Sequence, residues 1–254
     1  QEIIIDADTG NEIDDIPAIA LALKAESLES VGLTAEQWKY NQVCHINTME
    51  KSWELNNQIL RIMNLQEIPS LKGSERIVGG PGGGTTPRKS EAADFIIEKA
   101  LEMPEGERLT IICTGAVTNV ASAIQMEPAI VDKVVVYSIG TRYHFEKNAW
   151  DKNEFNVRND LNAYDVLLNT KGLELHVMPA NVARAVIFTR EETLPRLRYE
   201  EGIEELILKR WHEVVRERDQ WIMWDIALLQ AIIHPEWAKQ KVVQAPPENA
   251  NRQV

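Results

Sequence analysis

Ten residues near the amino terminus hold the densest chemistry in the chain. Ile3-Ile4-Ile5 runs into Asp6-Ala7-Asp8-Thr9-Gly10-Asn11-Glu12-Ile13-Asp14-Asp15, five acids in ten positions, and no Lys or Arg precedes Lys24. Carboxylates packed this closely repel one another unless a positive charge lies among them. An all-oxygen donor set favours a hard divalent cation, Ca²⁺ or Mg²⁺. The plainer alternative is a solvated acidic turn in which Asp14 caps a helix. Location favours the metal. The acids follow a β-branched run, and open α/β sheets bind ligands at the carboxyl ends of their strands.

Three further segments carry groups that could join this loop. Thr114-Gly115-Ala116-Val117-Thr118-Asn119 follows the apolar run Leu109–Cys113; read alone, it is an ordinary strand-to-helix turn. Asn148 and Glu154-Phe155-Asn156 lie in a long polar stretch after Val134–Ile139, and a loop of that length is more often functional than idle. In extended backbone Glu154 and Asn156 would point the same way and offer acceptors and donors to a polyhydroxylated ligand. Met223-Trp224-Asp225 sets one acid at the head of an apolar helix. That acid is either a cap beside a core Trp or the last ligand of a cation site.

The elements that must position these residues alternate in type. Ile3–Ile5, Val31–Thr34, Leu109–Cys113, Val134–Ile139 and Leu173–Val177 read as strands; Ile16–Lys24, Met49–Met63, Ser90–Leu101, Asn119–Gln125 and Asn162–Asn169 read as helices. Near-continuous apolar strands separated by helices indicate an open, doubly wound, mainly parallel α/β sheet covered on both faces, Rossmann-like in its core. After Pro179 the pattern turns helical, most clearly over Gly202–Arg218 and Trp224–Ile233. Gly79-Gly80-Pro81-Gly82-Gly83-Gly84 lacks the Gly-Lys-Ser/Thr of a phosphate loop and reads as a mobile surface loop.

Composition bounds the function. The 254 residues are expected to form one α/β domain over 1–254. A net charge of −12 argues against nucleic-acid binding. Two cysteines, Cys44 and Cys113, do not make a disulfide framework, and no apolar stretch approaches a membrane span. The chain starts at Gln1 without Met, so a processed or trimmed start is expected; a cytoplasmic location is favoured, with secretion or the periplasm left open.

In order and spacing, these segments resemble the inosine/uridine-preferring nucleoside hydrolases, N-ribosidases that cleave the bond between ribose and a base. The family's Asp-x-Asp-x-Gly-x-Asp-Asp loop is similar to Asp6-Ala7-Asp8-Thr9-Gly10 with Asp14-Asp15. Its Thr-Gly-x-Leu-Thr-Asn segment looks like Thr114 to Asn119, its Glu-Phe-Asn like Glu154-Phe155-Asn156 with Asp160-Leu161, and its late His-Asp like Trp224-Asp225. The match extends over nearly the whole chain.

The resemblance implies a Ca²⁺ held by Asp8, both oxygens of Asp15, the backbone carbonyl of Thr114 and Asp225, with Asp8 also the general base. It puts Asp14, Asn148, Glu154 and Asn156 on the ribose hydroxyls, with Asn41 as a further asparagine and Asn47 as its rival. Trp224 falls beside the leaving base. A small-molecule nucleoside or riboside as ligand, and a dimeric or tetrameric homo-oligomer, are implied with it. Two departures stand out. Asn11-Glu12 are two extra residues, so the loop must bulge to return Asp14 and Asp15 to the ion. Trp224 replaces a His that protonates or contacts the base in many members, and an indole N–H only donates and is no acid near pH 7. His144 and His45 are the candidate substitutes. Relative to the usual family length, a C-terminal element is expected beyond Val254.

Two rival readings remain at this level. A haloacid-dehalogenase-like phosphatase would use Asp6 as nucleophile and Asp8 as acid/base with Mg²⁺, but it leaves Glu154-Phe155-Asn156 and Trp224-Asp225 unexplained. A Ca²⁺-dependent ribose- or nucleoside-binding protein would keep the ion and the sugar contacts without turnover.

Overall fold

The computed structural model describes residues 1–39, 47–198 and 202–246. β1 (Glu2–Ala7) leads to α1 (Asp15–Lys24), β2 (Glu29–Ala35), α2 (Thr48–Ile62), β3 (Ser70–Leu71), α3 (Glu91–Glu102), β4 (Leu109–Cys113), α4 (Thr118–Met126) and β5 (Val134–Ile139). Then come β6 (Arg142–His144), β7 (Ala149–Asp151), α5 (Phe155–Asn159), α6 (Leu161–Asn169), β8 (Glu174–Met178) and α7 (Ala180–Ala183). The last elements are β9 (Ile187–Thr189), α8 (Arg190–Thr193), α9 (Ile203–Arg210), β10 (Gln220–Ile222) and α10 (Trp224–Ile233).

Six strands form one parallel sheet in the order β3-β2-β1-β4-β5-β8. The chain builds outward from β1 to β3, then returns to the other side of β1 and builds outward again from β4. Where the winding reverses, the connections leave in opposite directions and a crevice opens between the carboxyl ends of β1 and β4. Asp6 pairs with Cys113 across that boundary, so the acidic loop and the Thr114 loop emerge side by side.

Both faces of β1 are buried, as its unbroken Ile-Ile-Ile run requires. Ile3 and Ile5 point into a cluster with Ile16, Ile19, Trp211, Leu228 and Leu229, which fastens α1, α9 and α10 to one face. Ile4 points the other way, toward Ile111, Val120, Ile124 and Tyr164 under α4 and α6.

Three expectations are corrected by longer-range pairing. The helix expected over Gly202–Arg218 stops as an α-helix at Arg210; Trp211–Val215 continues as a wider π-turn that closes at Arg216, φ +56°. Trp211 is fully buried there, and the wider turn gives its indole room to enter the core. The polar stretch after β5 is partly a hairpin: β6 pairs antiparallel with β7, and the Tyr143 ring meets Trp150 edge-on at 5.0 Å. The glycine run reads as loose but is anchored at its start. Arg88 Nε donates to Ile77 O at 2.7 Å, and Asn162 Nδ2 donates to Val78 O at 2.7 Å and Gly80 O at 3.0 Å. Among the described residues no helix is long and apolar enough to cross a membrane.

One buried side chain ties that loop to two helices. Asp160, 1% exposed, accepts from Val78 N at 2.9 Å, Thr118 Oγ1 at 2.8 Å and Ala163 N at 2.9 Å, the last as the cap of α6. Asp160→Ala leaves three buried donors unpaired, each costing about 1–3 kcal/mol, so a loss of about 3 kcal/mol or more is expected in urea unfolding. A loss under about 1 kcal/mol would show that those donors find other acceptors.

Candidate active site

The acidic loop is anchored through its uncharged residues. Thr9 Oγ1 donates to Asn56 Oδ1 at 2.6 Å and Gly10 N to Ser52 Oγ at 3.3 Å, both partners lying on α2. Gly10 is needed because a Cβ there would lie 2.7 Å from the Trp38 ring. From α9, Arg210 Nη2 donates to three successive carbonyls, Gly10, Asn11 and Glu12, at 3.3, 3.4 and 3.1 Å. The two extra residues are thus accommodated with their carbonyls turned to a guanidinium. Arg210 also supplies the counter-charge that the local sequence lacks, and its charge works to lower the pKa of Asp15.

One carboxylate oxygen from each of Asp14, Asp15 and Asp225 lies within 4.8 Å of the others, and all three residues are buried. Asp14, expected on the ribose, therefore stands within the carboxylate cluster itself. Its Oδ2 accepts the Asp225 amide at 3.2 Å, so it caps α10, while it makes no side-chain cap on α1. Asp15 and Asp225 sit in the first turns of α1 and α10, where the helix dipoles favour negative charge. Thr114 Oγ1 donates to Asp15 Oδ1 at 2.8 Å, and the Thr114 carbonyl accepts from Asn156 Nδ2 at 2.7 Å. Gly115 permits this approach, since a Cβ there would lie 3.2 Å from both Asp8 Cβ and Asp8 N. Asp8 is 3% exposed and its Oδ2 has no hydrogen-bond partner.

The structure thus brings Asp8, Asp14, Asp15, Thr114, Asn156 and Asp225 to one crevice. Glu154 and Asn156 do not project from an extended strand. Glu154 is the N-cap of α5, its Oε2 accepting from Val157 N at 3.2 Å, and Asn156 lies in that helix's first turn, bracing Thr114 O and Ile139 O. Asn148, at φ +47°, is engaged elsewhere: its Oδ1 accepts from Tyr143 Oη at 3.3 Å and Lys241 Nζ at 2.9 Å. Trp224 opens α10, half-buried, immediately before Asp225. Asn41 and His45 lie outside the described residues. Asn47 is the N-cap of α2, and His144 is exposed on β6.

Two buried groups beside this crevice carried no readable signal. Glu36, just past β2, is fully buried; its Oε1 accepts from Asn119 N at 2.9 Å, and its carboxyl is hydrogen-bonded to Asp6. Burial drives both acids upward, and the hydrogen bond between them needs one proton shared by the two carboxyls. Asp6 Oδ1 accepts besides from Thr34 Oγ1 at 2.7 Å and Asn119 Nδ2 at 2.9 Å. A carboxylate so enclosed and bonded is no open nucleophile, which removes the phosphatase reading. The second is Lys152, paired with Asp165 in a buried ion pair next to the Glu154 segment.

Burial is the main force on the acids of the cluster. It raises Asp8 and Asp225 well above the usual carboxylate range, and their acidic neighbours raise them further. Asp15 is pushed up to about 8 by burial and then by Asp14, while the Thr114 hydroxyl opposes the shift. Glu12 is likewise raised to about 8. Asp14 rises by burial to about 6, restrained by the amides of α10. Such a group cannot ionise fully without added positive charge. An unpartnered Asp8 oxygen, three convergent carboxylates and a nearby backbone carbonyl are the donor set a hard divalent ion takes.

Residues 3–251 match the family model for inosine-uridine preferring nucleoside hydrolases. The chain belongs to that family. Its members hydrolyse ribonucleosides to ribose and free base and depend on a metal, which the buried acidic cluster of this chain could bind. The chain is 27% identical to a probable uridine nucleosidase 2 of Oryza sativa subsp. japonica over 266 residues, covering 93% of this chain and 75% of that one. It is 29% identical over 190 residues to an inosine-uridine preferring nucleoside hydrolase of Crithidia fasciculata, covering 66% of this chain and 57% of the other. A solved plant nucleoside hydrolase shares the fold, with TM-score 0.72 at 22% identity over 94% of this chain and 80% of that one.

The raised pKa values set the direction of a pH effect. Asp15 ordinarily titrates near 3.8 and here near 8. As pH rises from about 4 to about 8 the unfolded chain loses protons that the metal-free fold retains, so the metal-free protein loses stability across that window. A bound cation replaces those protons and gains affinity as they leave. The rise in melting temperature on adding Ca²⁺ is therefore expected to be larger at pH 8 than at pH 5, by roughly 5 °C or more. Equal shifts at both pH values would contradict this electrostatic account.

Proposed function

We propose that the chain is a Ca²⁺-dependent N-ribosyl hydrolase acting on free pyrimidine or modified ribonucleosides. The observation that carries this is the buried convergence of Asp14, Asp15 and Asp225 beside the unpartnered oxygen of Asp8. Asp8, Asp15, Asp225 and the Thr114 carbonyl would hold the ion, with Asp14 against them. Ca²⁺ suits this site because its coordination number is high and flexible enough to admit ligands besides protein oxygens. When bound, it supplies positive charge for the acids, anchoring for ribose hydroxyls and a lowered pKa for water.

The remaining roles belong to the chain. Asp8 Oδ2 takes a proton from the attacking water as general base. The surrounding carboxylates stabilise positive charge at C1′ as the base departs and the sugar becomes oxocarbenium-like. Asp14, Asn41, Glu154 and Asn156 are assigned to the ribose hydroxyls, where binding energy that grows toward the transition state raises the rate; Asn148 would join them only by giving up its bonds to Tyr143 and Lys241. The Trp224 ring offers an apolar face for the base to stack on, and its N–H cannot protonate a purine. That favours a leaving group needing less protonation, and the rice relative is named a uridine nucleosidase. A net charge of −12 is in keeping with a free nucleoside rather than nucleic acid as ligand. We read residues 1–254 as one domain that assembles as a homo-oligomer.

The direct test incubates purified protein and Ca²⁺ with a panel of ribonucleosides and measures reducing sugar. Uridine or another pyrimidine riboside should be cleaved faster than inosine. Sugar binding with no base released from any substrate would leave a ribose-binding protein instead. Asp8→Asn is expected to retain part of its Ca²⁺ affinity yet lose about a hundredfold or more in turnover. Unchanged turnover in the metal-loaded variant would remove Asp8 as the base.

A further inference from the structure

Arg210 stands out among the charged groups around the acidic loop. It is the last residue of α9, its side chain is only 11% exposed, and the next residue, Trp211, is fully buried in the core that also holds Ile13 and Ile16. The backbone bearing the guanidinium is therefore fixed to the same core as the end of the acidic loop and the start of α1. Nη1 is held by Glu213 Oε2 at 3.1 Å, and Nη2 faces the carbonyls of Gly10, Asn11 and Glu12. Three carbonyl dipoles converging on one buried cation are a strong, geometry-specific restraint that a compact ammonium could not reproduce.

The restraint falls on the two extra residues. Asn11 N donates to Asp8 O at 2.8 Å, and Asp14 O accepts from Ala18 N at 3.1 Å, so the segment between these turns is what sets how Asp14 and Asp15 return toward Asp8. Nearby carboxylates would otherwise push that segment apart. We propose that Arg210 is a positioning residue, clamping the carbonyls of Gly10, Asn11 and Glu12 so that the lengthened loop presents Asp14 and Asp15 to the cation site. The inference rests on the metal reading given above, and it deepens that reading by naming what organises the site from outside it.

The sign of the effect distinguishes this role from simple electrostatics. A positive charge near a cation site repels the ion, so a purely electrostatic Arg210 predicts tighter Ca²⁺ binding on its removal. A clamp predicts weaker binding. In Arg210→Met, Ca²⁺ affinity measured by calorimetry should fall about tenfold or more, the scale of lost charge-assisted hydrogen bonds. In the same metal-free protein, amide hydrogen exchange over residues 10–15 should speed up about tenfold, while exchange in β4 and β5 stays as in the native chain. Arg210→Lys keeps the charge and should show the same changes in smaller degree; it also serves if the Met variant does not fold. Tighter Ca²⁺ binding, or unchanged exchange over residues 10–15 in the folded variants, would overturn the clamp. Should the native protein bind no Ca²⁺, the metal reading falls, and the exchange measurement alone still decides whether Arg210 holds the loop.

Discussion

Everything about this molecule's site follows from burying several carboxylates where the winding of a parallel sheet reverses. The strand order brings the end of β1 beside the end of β4 and leaves a crevice between them. α1 and α10 then start at that crevice, each with an acid in its first turn. Like charges in a poorly hydrated space are costly, and the fold offsets only part of that cost. Amides at the head of α10 hold Asp14, the Thr114 hydroxyl holds Asp15, and Arg210 adds positive charge from α9. What is left unbalanced is borne by protons on raised carboxyls, and a cation can take their place.

Beside these acids lies a second set of buried polar groups. Glu36, Asp6, Thr34 and Asn119 bond to one another where the β2 and β4 loops meet, and Asn119 Oδ1 reaches on to Ser74 N at 3.0 Å. Lys152 and Asp165 join the segment before Glu154 to α6. The Thr114 loop passes through Val117 in the left-handed region at φ +58°, a costly conformation for a β-branched residue that the packing around it enforces. Internal networks of this kind fix side-chain positions, which the cation site proposed from three separate segments needs.

Much of this was legible in the sequence because the strongest signals are local. A β-branched run followed by acids announces a strand end, and alternating strand and helix patterns announce a parallel sheet, whose central strands match the expected ranges within a few residues. The acidic loop, Thr114 and Asp225 could be linked to one another because each follows or opens such an element. What could not be read depends on pairing across distance. Nothing near Arg210 marks it as the partner of Gly10, and a Glu after a strand gives no sign that it will share a proton with Asp6. Glu154 and Asn156 were recognisable as polar groups, but the capping geometry that turns Glu154 into a helix start needs the amides that follow it. The β6–β7 and β9–β10 pairs are only three residues long on each side, too short for periodicity to reveal.

The central claim is that these buried acids form a cation site whose protons give way to the ion. Calorimetric titration of the metal-free protein with Ca²⁺ near pH 7, repeated in buffers of different ionisation heat, tests it most directly. The account predicts one ion bound per chain and a binding heat that varies with the buffer, because about one proton or more leaves the cluster as the ion enters. Absence of Ca²⁺ binding, or binding with no proton released, would contradict it.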